Sequence, residues 1–398
     1  MKILVACELS AAALEQLASL GEVSHRPGLT AAELREAVSD VGVLVVGRLR
    51  VAADAIARAR TLQMIVHAGR GAAEIAIEEA SAQGIFVTHV PDRHADALAE
   101  LVFGLILALD RRLVEYTVAL REGRWARSAH ADARGLAGRT LGLLGCGMAC
   151  RLIADRGRAF GMRAIVWSPT LVPTPGGATD LELYNWPREV ARLADVVVVL
   201  PLPEDERGTL IDEEFLSSMK PGASLVHVGS PGAVDEQALA EVAPRRSLRV
   251  ATDVYATAPT TDTARFRTRL ADLPGFVGTQ QIATLTEQCQ AATADEVVRI
   301  VRAFVVSGEV INPLNLTERS PATWQLVLRV RDQVGVMASI LEAIRADGIN
   351  AQEISSRVFL GAKAAWCTVA LDERPSADAL EAVRALPDVL HLELRAVV

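Results

Sequence analysis

The stretch LGLLGCGMACRLIADRGRAFGMRAIVW, residues 141–167, decides the fold of this chain. An apolar run ends at Gly145, and a segment with helical spacing follows Gly147 and leads into a second apolar run, AIVW. A strand that enters a helix through such a Gly-x-Gly turn is typical of a dinucleotide site, because the free N–H groups of the helix can face a pyrophosphate. The third glycine of the usual turn is replaced by Cys150, a small residue that affects helix packing more than phosphate binding.

Apolar runs alternate with helical segments along most of the chain. The runs before this stretch are KILVA, VGVLVV, MIVHAG and GIFVTHV, and those after it are DVVVVLP, SLVHVG and RVATDV. Their nearly continuous Val and Leu content is typical of parallel strands that are covered on both faces. Thr30 and Glu33 form a predicted capping box, and one long helix is predicted from about Asp96 to Trp125. The pattern predicts an α/β protein with a doubly wound parallel sheet.

Composition and charge exclude several classes of protein. The 398 residues are 51% hydrophobic, and the net charge of -8 gives no support to a nucleic-acid-binding surface. The five cysteines form no CxxC pair and the seven histidines no HExxH motif, so neither a disulfide framework nor a metal site is expected. The longest apolar segment, LVFGLILAL at 101–109, is shorter than the ~20 residues of a membrane span. We therefore expect a cytoplasmic protein without a membrane segment.

Four stretches resemble the D-isomer-specific 2-hydroxyacid dehydrogenases: GRTLGLLGCGMACRLIADRGRAFGMRAIVW, LPLPEDERGTLIDEEFLSSMKPGASLVHVG, AVDEQALAE and ATDVYATAP. The resemblance covers nearly the whole chain. It implies a flavodoxin-like substrate domain at 1–98 and 282–317 around an NAD-binding Rossmann domain at 99–281. It also implies a small organic acid as the ligand of the cleft, and a homodimer or homotetramer.

The resemblance implies NAD as the cofactor. Ser168 stands at the end of AIVW, where an NAD site usually carries an acidic residue for the ribose hydroxyls. Its neighbours Pro169 and Thr170 include no arginine for a 2′-phosphate, so NAD is favoured while NADP stays open. The implied cofactor-binding residues are Gly145, Cys146, Gly147, Met148, Ala149, Ser168, Pro201, Val228, Gly229, Ser230 and Asp253.

The three side chains that carry the family's chemistry are replaced at the matching positions. Ser230, in HVGSPGAVDE, stands where the family has an arginine that clamps the substrate carboxylate. Ala258, in DVYATAP, stands where it has a glutamate, and Gln281, in FVGTQQIAT, where it has the histidine general base. Glutamine takes up no proton near neutral pH, serine carries no charge and alanine has no polar group. Ordinary oxidation of a 2-hydroxy acid is therefore expected to be lost.

Two classes of function fit this pattern. One is a protein that binds the cofactor and an acid without turnover or with altered chemistry, and the other is an active NAD-dependent oxidoreductase with rerouted proton transfer. The substrate loop HAGRGAAEIA offers His67, Gly69, Arg70 and Gly71, of which Arg70 is either a replacement anion clamp or a solvated surface residue. His94, in VPDRHADALAE, is either a new base or a hinge residue.

A separate small module follows the linker SGEVINPLNLTERSPAT. Its elements are predicted in the order strand, helix, strand, strand, helix, strand over 322–398. The segment WQLVLRVRDQVGVMASILEAIRADGIN resembles an ACT domain, which implies the D-3-phosphoglycerate dehydrogenase branch of the family. Asp332, Gly335 and Asn350 match positions that face a small amino acid, although Val330 replaces the histidine of the serine-sensing branch. The other interpretation is that the module only dimerises.

Overall fold

The fold is described from a computed structural model. It covers residues 1–398 apart from positions 70, 72–73, 126, 129–131, 146, 171–180, 203–207, 260–262, 318–319 and 398. Two units are separated along the chain, Met1–Asn315 and Leu316–Val398.

The first sheet is parallel and has the strand order β2-β1-β3-β4-β5. Its strands are β1 (Lys2–Ala6), β2 (Glu22–His25), β3 (Val43–Val46), β4 (Met64–His67) and β5 (Phe86–His89). Its helices are α1 (Ala11–Ala18), α2 (Ala31–Ala37), α3 (Ala53–Arg58) and α4 (Ile77–Ala82). The predicted capping box of α2 is confirmed, because the Thr30 N–H donates to Glu33 at 2.9 Å and the Glu33 N–H to the Thr30 hydroxyl at 3.3 Å.

The second sheet has the order β12-β11-β10-β9-β6-β7-β8, also parallel. Its strands are β6 (Thr140–Leu144), β7 (Arg163–Trp167), β8 (Glu182–Leu183), β9 (Val196–Val199), β10 (Ser224–His227), β11 (Arg249–Thr252) and β12 (Val277–Gly278). The helices are α5 (Ala95–Arg111), α6 (Leu113–Arg121), α7 (Met148–Ala159), α8 (Pro187–Leu193), α9 (Glu213–Ser218) and α10 (Glu236–Arg246), with a 3-10 helix at Arg269–Asp272. The strand order reverses between β6 and β9, which is the switch point where doubly wound sheets bind their ligands.

The prediction of one long helix from Asp96 to Trp125 is wrong. Arg112 adopts the left-handed backbone conformation, with φ 54° and ψ 42°, and separates α5 from α6. Its guanidinium donates to Glu115 at 3.1 Å and to Asp132 at 3.1 Å, and these bonds hold the turn. The apolar periodicity runs through the break, so the sequence pattern alone does not reveal it.

Helix α11 (Glu287–Ser307) follows the second sheet in the chain but packs on the first. Its buried residues Ala294, Val297, Val298, Ile300 and Val301 share a core with strands β1, β3 and β4. The carboxylate of Glu296 on this helix is 4% exposed and is bonded to Arg299 and, at 2.9 Å, to Arg93 in the segment before α5. Glu296 therefore ties the returning helix to the segment that joins the two sheets.

We expect E296Q to lower the free energy of unfolding by about 1–3 kcal/mol at pH 7, because two charge-assisted pairs are lost. Hydrogen bonds from Arg299, followed by those from Arg93, lower the pKa of Glu296 from 4.5 to about 2. The stabilisation is present above pH 4.5 and disappears as the pH falls towards 2. Urea titrations test this, with D295N, which alters an exposed neighbour, as the control. Equal unfolding midpoints for E296Q and D295N would contradict it.

The second unit contains an antiparallel sheet of order β14-β15-β13-β16 and two helices. Its elements in chain order are β13 (Trp324–Arg331), α12 (Val336–Ala346), β14 (Ala351–Val358), β15 (Ala364–Leu371), α13 (Ala377–Arg384) and β16 (Val389–Ala396). The predicted α/β fold class and the element order of this module are confirmed. Its assignment as an ACT domain and the exact domain boundaries stay predictions. Within the described ranges, no helix is long and apolar enough to span a bilayer.

Candidate functional site

The Gly-x-Gly turn lies at the carboxyl end of β6, at the switch point. Gly145 has φ 138°, and a Cβ there would lie 2.8 Å from Cβ of Leu200, so the neighbouring strand leaves no room for a side chain. Gly147 has φ 93° and precedes α7 without a side-chain cap on the helix N-terminus. The first-turn N–H groups of α7 are therefore available to an anion. Cys146 lies outside the described residues.

The first turn of α7 carries the next two predicted cofactor residues. Met148 is 46% exposed and Ala149 is buried, so of these two residues the methionine presents its side chain to solvent. Cys150, at the third glycine position, is buried in the core of the second sheet. The close approach of helix to strand occurs two turns later at Gly157, where a Cβ would lie 2.7 Å from a methyl group of Leu141. Gly157 thus provides the close helix–strand packing that the third glycine usually permits.

Ser168, one residue beyond β7, is buried, and its side chain forms hydrogen bonds within the turn that follows the strand. Its hydroxyl accepts the Thr170 N–H at 3.2 Å and lies 3.1 Å from the Thr170 hydroxyl. The side chain at the predicted ribose position is therefore a neutral hydroxyl that already takes part in a local turn. The segment 171–180 that follows lies outside the described residues.

The loops after β9 and β10 form the other side of the crevice. Pro201 follows Leu200 after β9, and Val228 donates its N–H to Val199 at 3.0 Å. A Cβ on Gly229 would lie 2.7 Å from the Leu200 carbonyl oxygen, so Gly145 and Gly229 flank the same residue. Glycine backbone therefore lines both sides of Leu200, where the chain can approach a ligand closely.

His227 ends β10 beside this loop and is 5% exposed. Burial lowers the pKa of His227 from 6.5 to about 4, so the ring is neutral at pH 7 and its Nδ1 accepts the Gly229 N–H at 3.4 Å. We expect the free energy of unfolding to fall by about 3 kcal/mol between pH 6.5 and 4, because only the unfolded chain takes up this proton. Below pH 4 the folded protein also protonates His227, so this loss of stability does not increase further.

H227N is expected to remove most of this pH dependence, because asparagine does not titrate and can still accept from Gly229. Denaturant titrations at pH 7, 6, 5 and 4 measure the free energy of unfolding of H227N and of wild type. H25N, which changes an exposed histidine, serves as the control and should keep the wild-type slope. The prediction fails if H227N and wild type lose stability in parallel.

Asp253 follows β11 and is 2% exposed. Its carboxylate accepts the Thr279 hydroxyl at 2.7 Å, the Ile282 N–H at 2.8 Å and the Ala283 N–H at 3.1 Å. The backbone oxygen of Asp253 also accepts the Gln281 N–H at 2.9 Å. Asp253 therefore fixes the segment 279–283, in which Gln281 lies.

Gln281 meets an arginine that the sequence does not single out. Its backbone is left-handed, with φ 57°, and its side-chain oxygen accepts a hydrogen bond from Nη2 of Arg48. Arg48 lies two residues beyond β3 in the first sheet, 233 positions away in the chain. The only sequence signal for it is that the carboxyl ends of parallel strands line the ligand crevice.

The other two positions at which a catalytic residue is predicted to be replaced lie on separate segments. Ser230 follows β10 and is partly buried, and its carbonyl oxygen accepts the Ala233 N–H at 3.1 Å. Ala258 follows β11 and is partly buried, with its N–H 3.4 Å from the Tyr255 carbonyl. The described contacts join neither residue to Gln281.

The predicted substrate loop is braced by two histidines at the ends of β4 and β5. Nδ1 of His67 donates to the Gly71 carbonyl at 2.8 Å, and the Gly71 N–H donates to Nδ1 of His89 at 3.0 Å. The Gly69 carbonyl accepts the Val90 N–H at 2.9 Å, and a Cβ on Gly69 would meet the His67 ring at 2.8 Å. These contacts give His67 a role in holding the loop. Arg70 lies outside the described residues.

His94 lies at the N-cap of α5, next to Arg93, which is bonded to Glu296.

The predicted amino-acid contacts of the second unit lie on loops of that unit. Gly335 has φ 92° and is the N-cap of α12. The Asp332 N–H donates to the Lys363 carbonyl at 3.2 Å, and the Asn350 N–H donates to the Asp372 carboxylate at 3.0 Å. Among the described residues, no group of three or more His, Cys, Asp or Glu side chains is arranged to hold a metal ion.

Comparison with known proteins gives the family. Residues 103–283 match the sequence profile described as D-isomer specific 2-hydroxyacid dehydrogenase, NAD binding domain. A hydroxypyruvate reductase of Thermotoga maritima is 34% identical over 269 residues, which cover 67% of this chain and 85% of that protein. The chain belongs to the D-isomer-specific 2-hydroxyacid dehydrogenase family. The resemblance and the predicted NAD(P)-binding domain are thereby confirmed.

Two further proteins are similar to this chain over most of its length. D-3-phosphoglycerate dehydrogenase of Methanocaldococcus jannaschii is 32% identical over 325 residues, or 80% of this chain, and the chain spans 60% of the length of that protein. The solved structure of an NADPH-dependent glyoxylate/hydroxypyruvate reductase from Sinorhizobium meliloti is 25% identical, with a TM-score of 0.70 over 80% of this chain and 99% of that one. The chain is thus similar both to a D-3-phosphoglycerate dehydrogenase and to two reductases named for hydroxypyruvate or for glyoxylate and hydroxypyruvate.

Proposed function

We propose that this protein binds NAD(H) and a small organic acid but lacks the proton relay with which its family oxidises 2-hydroxy acids. The observation that carries the proposal is the surroundings of Gln281. Its side chain is bonded to Arg48, and its backbone is held by Asp253. An amide at this position takes up no proton near neutral pH, so it cannot act as the general base.

The residues of the crevice fit a dinucleotide. Gly145 and Gly147 have positive φ angles, and a Cβ on Gly145 or Gly229 would come within 3 Å of Leu200. A turn of this kind supports close approach of the backbone to a pyrophosphate at the N-terminus of α7. When bound, the nicotinamide would supply the hydride donor or acceptor.

NAD is proposed as the preferred cofactor. Ser168 places a neutral hydroxyl at the ribose position, and its neighbours Pro169 and Thr170 provide no cation for a 2′-phosphate. The Sinorhizobium reductase is NADPH-dependent, so both cofactors occur among similar proteins. Fluorescence titrations with NADH and NADPH test the choice, and we expect tighter binding of NADH. Tighter binding of NADPH would overturn this part of the proposal.

The other two replacements support the same function. Ser230 has no fixed charge with which to clamp a carboxylate, and Ala258 has no carboxylate with which to orient a base. Loss of a general base alone typically lowers a rate ~100- to 10,000-fold. We therefore propose that ligand binding, rather than turnover of a 2-hydroxy acid, is the function of the cleft.

The alternative is an active oxidoreductase for a 2-hydroxy or 2-keto acid with rerouted proton transfer. The imidazoles of His67 and His89 favour it, because both contact Gly71 in the predicted substrate loop. Steady-state assays with D-3-phosphoglycerate and hydroxypyruvate distinguish the two functions. Cofactor binding without turnover supports the first, whereas turnover of either acid by the wild-type protein supports the second.

The assembly is part of the proposal. We propose a homodimer or homotetramer, as the family resemblance implies, with the small module as an ACT-like unit. Asp332, Gly335 and Asn350 are its proposed contacts to a small amino acid. Sedimentation of the full chain, with and without a panel of amino acids, tests both parts, and a concentration-independent monomer would contradict the first.

A further inference from the structure

Arg48 and Gln281 join two sheets that are far apart in the chain. Arg48 lies just beyond the carboxyl end of β3 in the first sheet, and Gln281 lies beyond β12 in the second. Nη2 of Arg48 donates to the side-chain oxygen of Gln281. The hydrogen bond therefore places a guanidinium beside Gln281, the residue that matches the family position of the catalytic imidazole.

The acceptor in this pair is held rigidly. Gln281 has a left-handed backbone, and its N–H donates to the Asp253 carbonyl at 2.9 Å. On its C-terminal side, the Ile282 and Ala283 N–H groups both donate to the buried Asp253 carboxylate. Because these hydrogen bonds fix the backbone, the Gln281 side chain starts from a constant position beside Arg48, and the bond from Arg48 orients its amide oxygen.

The charge of Arg48 is not neutralised by this bond. A guanidinium has five N–H donors and a fixed positive charge, whereas the amide oxygen of Gln281 is neutral. One donor orients the group, and the planar fork remains suited to a carboxylate. The family position that usually supplies this charge, Ser230, has none.

We propose that Arg48 is the anion-binding residue of the cleft and that Gln281 is its positioning residue. The inference rests on the proposed function, because it names the group that holds the small acid. The ligand class is a short carboxylic acid, and its carboxylate would bind from the side of the first sheet. A carboxylate held there occupies the place where the family's base would contact a hydroxyl group, which agrees with binding without oxidation.

The test is calorimetric titration of the full-length protein with oxalate and malonate, with and without saturating NADH. We expect R48Q to weaken binding about 10- to 100-fold, because a charge-assisted pair is lost. R50Q, which removes the same charge two positions away, is the matched control and should bind as wild type does. Q281A should weaken binding about 3- to 10-fold, since Arg48 stays charged but is no longer oriented.

NADH titration of each variant shows whether the fold and the cofactor site are intact, and it separates this inference from the proposed function. Turnover by wild type together with weak oxalate binding by R48Q would overturn the proposed function and leave Arg48 as the anion-binding residue. Equal affinity of R48Q and wild type would overturn the role of Arg48. If neither oxalate nor malonate bound the wild-type protein, that result would overturn the role of Arg48 as well.

Discussion

Substitution G147V is expected to weaken NADH binding at least about 100-fold, which corresponds to about 2.7 kcal/mol. Gly147 has φ 93° and ψ -170° and directly precedes α7. A valine there would place a branched side chain between the first-turn N–H groups and the pyrophosphate, and it would disfavour the backbone conformation that aims those groups. The effect should be equally large for NADPH, because the pyrophosphate is common to both cofactors.

The control for G147V is G84V. Gly84 has φ 67°, and a Cβ there meets no atom within 4 Å, so valine introduces backbone strain in the first sheet without reaching the cofactor turn. Both variants should lose about 1–2 kcal/mol of stability from this strain. Only G147V should lose affinity for NADH, as measured by fluorescence titration. Unchanged NADH affinity in G147V would show that the turn does not hold the cofactor.

The second large effect is a gain of activity. We expect the combined variant S230R/A258E/Q281H to reduce hydroxypyruvate with NADH at least about 100-fold faster than wild type. It would supply a carboxylate clamp, an orienting carboxylate and an imidazolium that protonates the carbonyl oxygen as the hydride is transferred. Arg48 lies beside position 281, and its charge would lower the pKa of a histidine there. Adding R48Q should therefore move the pH optimum of the variant upwards.

Single substitutions are the control for this gain. Catalytic groups that act as a unit are strongly non-additive, so Q281H, A258E and S230R alone should each stay near the wild-type rate. The comparison is made by steady-state assay at the nicotinamide absorbance, with NADH titrations to show that every variant binds the cofactor. If Q281H alone reached the rate of the combined variant, the clamp and the orienting group would not have been lost.

Local patterns account for most of the fold. The apolar runs predict the parallel strands because both faces of each sheet are covered, and Thr30 with Glu33 predicts the start of α2 through bonds only three residues long. The break at Arg112 is missed, because one of the two partners that hold its left-handed backbone is Asp132, twenty positions further along, and the nearby Glu115 also fits an unbroken helix. Periodicity continues through such a break and masks it.

The candidate site is predictable only in part. The turn at Gly145 and Gly147 is read from adjacent residues, and its conformation follows from the steric freedom of glycine. The pair of Arg48 and Gln281 depends on how two sheets face one another, which no periodicity encodes. Gly157 is similar, since its close contact with Leu141 becomes apparent only when helix and strand are in place. The sequence therefore leaves undetermined the contacts between elements, and with them the helix break at Arg112.

A single-turnover experiment tests the central claim most directly. Wild-type protein in excess over NADH is mixed with hydroxypyruvate, and both the fluorescence of bound NADH and the nicotinamide absorbance are followed. With the protein in excess, even one slow hydride transfer per site is detected, and product release cannot hide it. The account predicts that NADH becomes bound and remains reduced. Oxidation of the bound NADH at a rate that depends on hydroxypyruvate would contradict it.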